Sequence, residues 1–270
     1  ERSQVSTVDL DPIAVRALPV AFKDISKLLV TLPGVSSVNE FYTAYSVRGG
    51  NYDENLVYVN NIPVYRPFLI RSGRQEGLSF VNPDLVSKLE FSSGGWQPQY
   101  GDGLSSVMNV YYKRPSEFAG SLSIGLLGGS AHVEGATPNG RVHYLIGARH
   151  KRTEYLLGTL ETRGEYRPAF TDVQGWLNFD LGKEVSGKTE LGIMVSYARN
   201  RYMVKPESRQ TTFGTFNDQL RLFVAFDGRD RLQYDTYQAA VKLSQWHNSR
   251  FRADFIVSTL LTREREYFDV

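Results

Sequence analysis

The 270-residue chain contains no cysteine, which excludes disulfides, thiolate-bound metals and cysteine nucleophiles together and is compatible with an oxidising compartment. No stretch approaches the roughly 18 consecutive apolar residues that a membrane-spanning helix needs. A transmembrane barrel strand needs only about 10 residues with every second one facing lipid, so a β-barrel stays open. Charge of one sign is lacking too. The 31 Lys and Arg face 29 Asp and Glu, a net +2, which gives no reason to expect nucleic acid as a partner. Glu1 opens no basic, apolar leader, so a secretory signal is expected outside these residues and the start reads as a cut end.

The motifs of common chemistry are missing as well. No Gly-rich loop ends in the Lys-Ser/Thr of a phosphate-binding P-loop, and no Gly-x-Ser-x-Gly elbow occurs. The four histidines, His132, His143, His150 and His247, form no compact metal set. Asp53 and Glu54 sit beside Asn55 in an expected loop with nothing to raise one pKa. The expectation is therefore no enzyme, no metal and no cofactor.

What is present favours strands. Tyr (16), Phe (15) and Gly (24) are plentiful, a mix suited to sheets with aromatic surfaces and tight turns. Two textures meet near Pro115, giving expected domains of 1–115 and 116–270. In the first, Phe22, Ile25, Leu28, Leu29 and Leu32 recur at helical spacing until Pro33-Gly34. Short β-like segments follow at Ala44 to Val47, Leu56 to Val59 and Val86 to Phe91. This predicts a small α+β domain.

In the second texture Val142, Tyr144, Ile146 and Ala148 alternate with polar residues, a period of two. The pattern returns in Val173 to Leu181, Leu191 to Tyr197, Tyr237 to Leu243 and Phe251 to Val257. Short turns are expected at Thr137 to Gly140, Glu184 to Lys188 and His247 to Ser249, and long loops near Thr153 to Pro168 and Tyr202 to Arg231. Outer-membrane barrels alternate short and long connections in this way. A soluble antiparallel domain with one wet face remains an alternative reading of these residues, as does a periplasmic binding module.

The first half carries a set of motifs in order: Leu32-Pro33-Gly34-Val35, Val47-Arg48-Gly49-Gly50, Val57-Tyr58-Val59-Asn60-Asn61-Ile62-Pro63-Val64-Tyr65, Asn82-Pro83-Asp84, Gly94-Gly95 and Tyr100-Gly101. With these, Val5 to Lys113 resembles the plug domain of TonB-dependent outer-membrane receptors, especially the type abundant in Bacteroidetes. Two departures stand out: Asn60-Asn61 where the family usually has Asp-Gly, and Asp102-Gly103 where many members place an arginine after Tyr-Gly. Asn tolerates the left-handed backbone that Gly usually takes, so the turn should survive.

The resemblance implies a plug inside an antiparallel transmembrane β-barrel of about 22 strands, of which this chain supplies roughly six to eight and is therefore a fragment, since an open edge in lipid is not viable. It implies active import of a nutrient (siderophore, glycan, peptide or similar), without covalent chemistry. It places the protein in the cell outer membrane, the plug facing the periplasm. The implied partners are the TonB energy-transducing complex, a surface lipoprotein or other outer-membrane subunits, and outer-membrane lipid. A structural subunit that keeps the transporter fold is the alternative. The implied sites are Arg48 as plug-to-barrel anchor; Gly49, Gly50, Asn60, Asn61, Gly94, Gly95 and Gly101 as hinge and turn residues; and Tyr42, Tyr45, Tyr52, Tyr65, Arg66, Phe68 and Arg71 on ligand-facing loops. The apolar turn Ile62 to Tyr65 is expected to pack the plug core.

Overall fold

The computed structural model describes residues 7–20, 23–38, 42–67, 77–152, 164–182, 187–206, 209–214, 219–224, 228–248 and 250–269. Seven strands form the N-terminal part: β1 (Thr7–Leu10), β2 (Val35–Ser36), β3 (Ser46–Val47), β4 (Asn55–Val59), β5 (Ile62–Pro63), β6 (Val86–Ser92) and β7 (Ser106–Tyr112). Five of them make one sheet in the order β1-β6-β7-β4-β5, in which only β4 and β7 run parallel.

Helix α1 (Ile25–Leu29) covers this sheet and is buried at every residue. It is shorter than the apolar spacing predicts, for local reasons. Asp24 caps it at the front, accepting from the Ser26 amide at 2.9 Å. At the back, the Thr31 and Leu32 amides reach only three residues, to Leu28 O and Leu29 O. Gly34 then turns left-handed at φ 79°. Phe22 lies outside the described residues. Ile25, Leu29, Val57, Val59, Leu89, Phe91, Met108 and Val110 are almost wholly buried in the shared core, each contributing about 1.5–3 kcal/mol by leaving water. Ile62 and Val64 join them, so the apolar turn does pack inward.

The C-terminal part is a seven-stranded antiparallel sheet in the order β16-β15-β12-β11-β10-β9-β8. Its members are β8 (Ala119–Gly125), β9 (Gly128–Ala136), β10 (Val142–Arg152), β11 (Gly164–Asp180), β12 (Thr189–Pro206), β15 (Arg229–Trp246) and β16 (Arg252–Asp269), with a separate hairpin of β13 (Arg209–Gly214) and β14 (Gln219–Val224) between β12 and β15. Four of these strands are 17 or 18 residues long, well over the 9–11 that cross a bilayer. The residues expected as long loops are thus partly strand. β11 already runs at Gly164, β12 continues to Pro206, and β15 starts at Arg229.

The register sorts this sheet's faces. Across β10, β11, β12, β15 and β16, the rungs through Ile146, Val173, Val195, Val241 and Val257 carry apolar side chains on one shared face. These residues stay 40% or more exposed. The opposite side is the buried one, and it is mostly polar: Arg149, Lys151, Asp172, Gln174, Asn178, Ser196, Gln238, Lys242 and Ser244 are each less than 9% exposed, with Leu145, Trp176, Met194 and Ala240 between them packed into the core of the N-terminal domain. A water-soluble domain buries its apolar face and wets its polar one. Here the arrangement is inverted, as in a barrel wall that meets lipid outside and a filled lumen inside.

Candidate functional site: the junction between plug and wall

The buried polar wall is satisfied mainly by the backbone of the N-terminal domain. The segment 77–85 lies along β10 and β11 without pairing as a strand, so its carbonyls need donors from elsewhere. Lys151 Nζ donates to Gly77 O at 3.2 Å, Arg149 to Ser79 O at 2.8 Å and Val81 O at 2.9 Å, and Gln174 Nε2 to Phe80 O. The same Gln174 accepts from the Tyr112 hydroxyl at 2.7 Å. Asp84 accepts from Ser130 at 3.1 Å.

Arg149 is the hub. Its Nε donates to Asp172 at 2.9 Å, Nη2 pairs with the other Asp172 oxygen, and Asp24 Oδ2 lies 4.0 Å from Nη1. The cap of α1 is therefore also part of the plug-to-wall lock. Two cations, Arg149 and Lys151, stand against two carboxylates, Asp24 and Asp172, so the buried set is neutral. Burial alone pushes the Asp24 carboxyl up. The Arg149 charge and the amides of Ser79 and Ser26 outweigh that and hold it below the ordinary carboxylate range.

The sign of the pH effect follows. A carboxyl with a depressed folded pKa contributes stability that is fully present above its unfolded value, about 3.9, and is lost as pH falls through the folded value. Stability of the N-terminal domain is expected to drop below about pH 4, and Asp24→Asn to flatten that acid limb. Denaturant midpoints recorded from pH 6 to pH 2 check it; an unchanged slope in the variant contradicts it.

A second grip holds the β4–β5 turn. Lys242 Nζ donates to Asn60 O at 2.8 Å, and Gln238 Nε2 to Pro63 O at 3.0 Å. Asn60 and Asn61 both adopt positive φ, 50° and 66°, so the turn survives without the usual Asp-Gly. Their side chains add what Gly cannot supply. Asn60 Oδ1 accepts from the Tyr112 amide at 3.1 Å, and Asn61 Oδ1 from Tyr100 at 3.2 Å and Asn109 at 3.0 Å. Asn61→Ala, which loses both bonds and strains the backbone, is expected to cost about 1–2 kcal/mol; a melting point equal to wild type within error contradicts this.

The connecting residues form a third grip. Arg114 bridges Asp180 and Glu190, Lys113 pairs with Glu134 at 3.2 Å, and His143 Nδ1 donates to Pro115 O at 2.7 Å.

The expected site residues distribute unevenly over these grips. Arg48 is exposed, at φ 49°, with its guanidinium near Gly94. Among the described residues it has no ion pair with the wall; Arg149, on the wall rather than the plug, holds the buried pair. Gly49, Gly94 and Gly95 take positive φ. Gly50 is required by close approach: a Cβ there would lie 1.7 Å from Ser105 Oγ. Gly101 keeps an ordinary φ, and the left-handed residue is its neighbour Asp102, whose short side chain tolerates it.

Tyr45 corrects the ligand-facing expectation. It is 2% exposed, edge-on to Phe91 at 6.3 Å, and burial pushes its phenol above the ordinary range. Tyr45 lies just before β3 in a run, Thr43 to Tyr45, that is buried at every residue. Tyr42 is half-buried and its carbonyl accepts from Lys27 at 2.6 Å. Tyr52 sits half-buried on a single turn of 3₁₀ helix, 52–54. Tyr65 and Arg66 reach the wall, with Ser258 at 3.3 Å and Glu264 at 3.1 Å. Phe68 and Arg71 lie outside the described residues. The main lock residues, Asp24, Arg149, Asp172 and Gln174, went unnoticed in the sequence. Their one signal was charge at polar positions of otherwise clean alternation.

A globular plug seated on the polar side of an apolar-coated antiparallel wall defines the class. Residues 4–107 match the family model of the TonB-dependent Receptor Plug Domain. Among solved structures, the siderophore receptor PirA from Acinetobacter baumannii is similar at TM-score 0.52 and 14% identity, over 97% of this chain and 48% of that one. A mutant of the ferric enterobactin receptor PfeA from Pseudomonas aeruginosa matches at TM-score 0.55 and 13% identity, over 98% and 46%. The copper transporter OprC matches at TM-score 0.62 and 10% identity, over 97% and 48%. The shared property at such identities is the fold, plug and antiparallel wall together. The chain spans about half the length of these structures. A search of curated proteins by sequence finds no match.

Proposed function

We propose that this chain is the plug, residues 1–115, and the first wall strands, residues 116–270, of a non-enzymatic outer-membrane importer driven through TonB. The observation that carries the reading is the inverted wall, apolar outside and polar inside, with its polar side hydrogen-bonded to the plug backbone. The hydrogen-bonded part of this junction can exchange its partners for water, leaving only the apolar contacts of Leu145, Trp176, Met194 and Ala240 to break, so a plug held this way can shift and later reseat. Force applied at the N-terminal side loads β1 first. That strand is a four-residue edge, paired only with β6, and its release would uncover the plug sheet stepwise.

Arg48, the glycines and the half-buried or wall-reaching tyrosines keep proposed roles. Arg48 anchors the plug to wall strands beyond those of this chain, the turns act as hinges, and Tyr52, Tyr65 and Arg66 lie toward the ligand path. The Bacteroidetes type rests on the ordered set of motifs from Leu32 to Gly101, and a surface lipoprotein partner belongs to the same reading. Cargo of the siderophore or metal class is favoured by the likeness to siderophore and copper receptors.

The test is growth and labelled uptake of ferric siderophores and copper in cells lacking the gene. They are complemented with the full-length protein or with a version lacking residues 1–10. Uptake lost on deletion and restored only by the complete protein supports import. Unchanged uptake together with dissociation of an outer-membrane complex overturns it in favour of a scaffold.

A further inference from the structure

The plug sheet has a second face, turned away from the shared core. Along β6 and β7 the core takes Leu89, Phe91, Met108 and Val110, while Lys88, Glu90, Asn109 and Tyr111 line a cavity of about 500 Å³ on the other side. Its floor is one hydrogen-bonded chain. Glu90 accepts from the Tyr111 hydroxyl at 3.1 Å, and Asn109 Nδ2 reaches the hydroxyls of Tyr111 at 2.7 Å and Tyr100 at 2.8 Å. Asn61 Oδ1 closes the chain, accepting from Tyr100 at 3.2 Å and Asn109 at 3.0 Å. Two polar atoms of this floor are unmet. Asn109 Oδ1 is buried with no donor, and Asn61 Nδ2, on the residue that replaces the usual Gly of the motif, has no acceptor among the described residues.

The chemistry of the lining narrows what it can hold. The cation in it, Lys88, is already bound to Asp9 at 3.2 Å and Glu90 at 2.8 Å, and two carboxylates against one cation repel an anionic ligand. Both Glu90 oxygens are engaged, one by Lys88 and one by Tyr111, so the floor offers no vacant carboxylate to a cation. The rest is amide, hydroxyl and aromatic, with Ser92, Gln97, Gln99 and the half-buried Trp96 completing the lining. Carboxamides donate and accept at once, as sugar hydroxyls and acetamido groups do, and an indole near a phenol offers flat apolar faces with polar edges. The cavity lies toward the short-turn end. Asn61 and Tyr111 also border the gap between plug and wall that Lys242, Ser244 and Arg252 line, beside the turn joining β15 to β16.

We propose that this cavity binds an uncharged, N-acetylated glycan, the amino-sugar strand of the cell wall, and so ties the plug to it on the periplasmic side. The choice of side rests on the membrane reading above. Strands β1, β6 and β7 hold the lining in place before any ligand arrives, which suits retention, whereas cargo in transit needs contacts that let go. An acetamido group brings one donor and one acceptor, the pair that Asn109 Oδ1 and Asn61 Nδ2 lack.

The test uses the full-length protein purified in detergent, with purified cell-wall sacculi, tetra-N-acetylchitotetraose and maltotetraose as probes. Sacculi are read by cosedimentation and the soluble glycans by calorimetric titration. Binding to sacculi that the acetylated tetramer competes away is expected, with maltotetraose, which lacks the acetamido groups, weaker by about tenfold or more. Asn61→Gly keeps the left-handed turn and deletes the amide, and is expected to weaken binding of sacculi and tetramer about tenfold. Trp96→Ala is expected to do the same, about tenfold, by removing the aromatic face. No binding to sacculi, or unchanged binding in either variant, overturns the proposal. Maltotetraose binding as tightly also overturns it and assigns the cavity to an imported oligosaccharide instead. If either variant does not assemble, Gln99→Ala on the exposed rim is expected to weaken binding about threefold, and no change there overturns the site. Wild-type protein that fractionates away from membranes overturns the membrane reading itself, an outcome distinct from a membrane-embedded barrel that ignores the glycan.

Discussion

Replacing Arg149 with methionine is expected to destabilise the plug-to-wall junction by about 3–5 kcal/mol, the range for breaking a buried pair from one side. The side chain keeps most of its volume, so the loss is electrostatic. Asp172 and Asp24 would be left buried without their cation, and Ser79 O and Val81 O without their donors. Pairing the change with Asp172→Asn should recover part of the loss, because the uncompensated charge is what costs most. Denaturant unfolding of the full-length protein in micelles, followed by the tyrosine-rich plug, reads the effect. A loss under about 1 kcal/mol, the scale of an exposed ion pair, would mean that the lock is solvated and that the plug is held by something else.

The second large effect concerns the other face of the wall. Val195→Arg, in the middle of the apolar band on the interior strand β12, is expected to cost about 2–4 kcal/mol in a bilayer. Were this face in water, a 55% exposed valine could change to arginine within about 0.5 kcal/mol. The two readings therefore differ by more than a factor of ten in folding equilibrium. Gln245→Arg, at the edge of the same face, is expected to change little in either case and serves as the control. Refolding titrations into lipid vesicles distinguish these outcomes.

Much of the architecture was legible because the alternation is clean where lipid imposes it. Ile146, Val173, Val195, Val241 and Val257 mark five strands, and all five are found, as β10, β11, β12, β15 and β16. Legibility fails where that pressure ends. Above the band the outward face of β11, β12 and β15 turns polar while the inward face holds Phe170, Tyr202 and Tyr234, so the alternation no longer matches that of the band and strand continuing past Tyr202 or before Pro168 read as loop. β8 and β9 are built from Gly, Ala and Ser with few large apolar residues, and small side chains leave little period to detect. β7 is buried on nearly every residue, so it shows no wet face. The junction was hidden for a different reason: Asp24 and Arg149 are 125 residues apart, and nothing local joins a helix cap to a wall arginine. Arg48, singled out by its motif, proved exposed. The cation of the buried lock, Arg149, sits on the wall.

The inverted wall can be tested most directly through the absence of cysteine, which makes single-cysteine scanning along β12 clean in this stretch. Nitroxide labels at positions 191 to 197, in the full-length protein reconstituted in lipid, are read for collisions with oxygen and with an aqueous nickel chelate. The account predicts a period of two: Leu191, Ile193, Val195 and Tyr197 positions open to oxygen and closed to nickel, Gly192, Met194 and Ser196 positions closed to both. Nickel access at the odd positions would place that face in water and contradict the account.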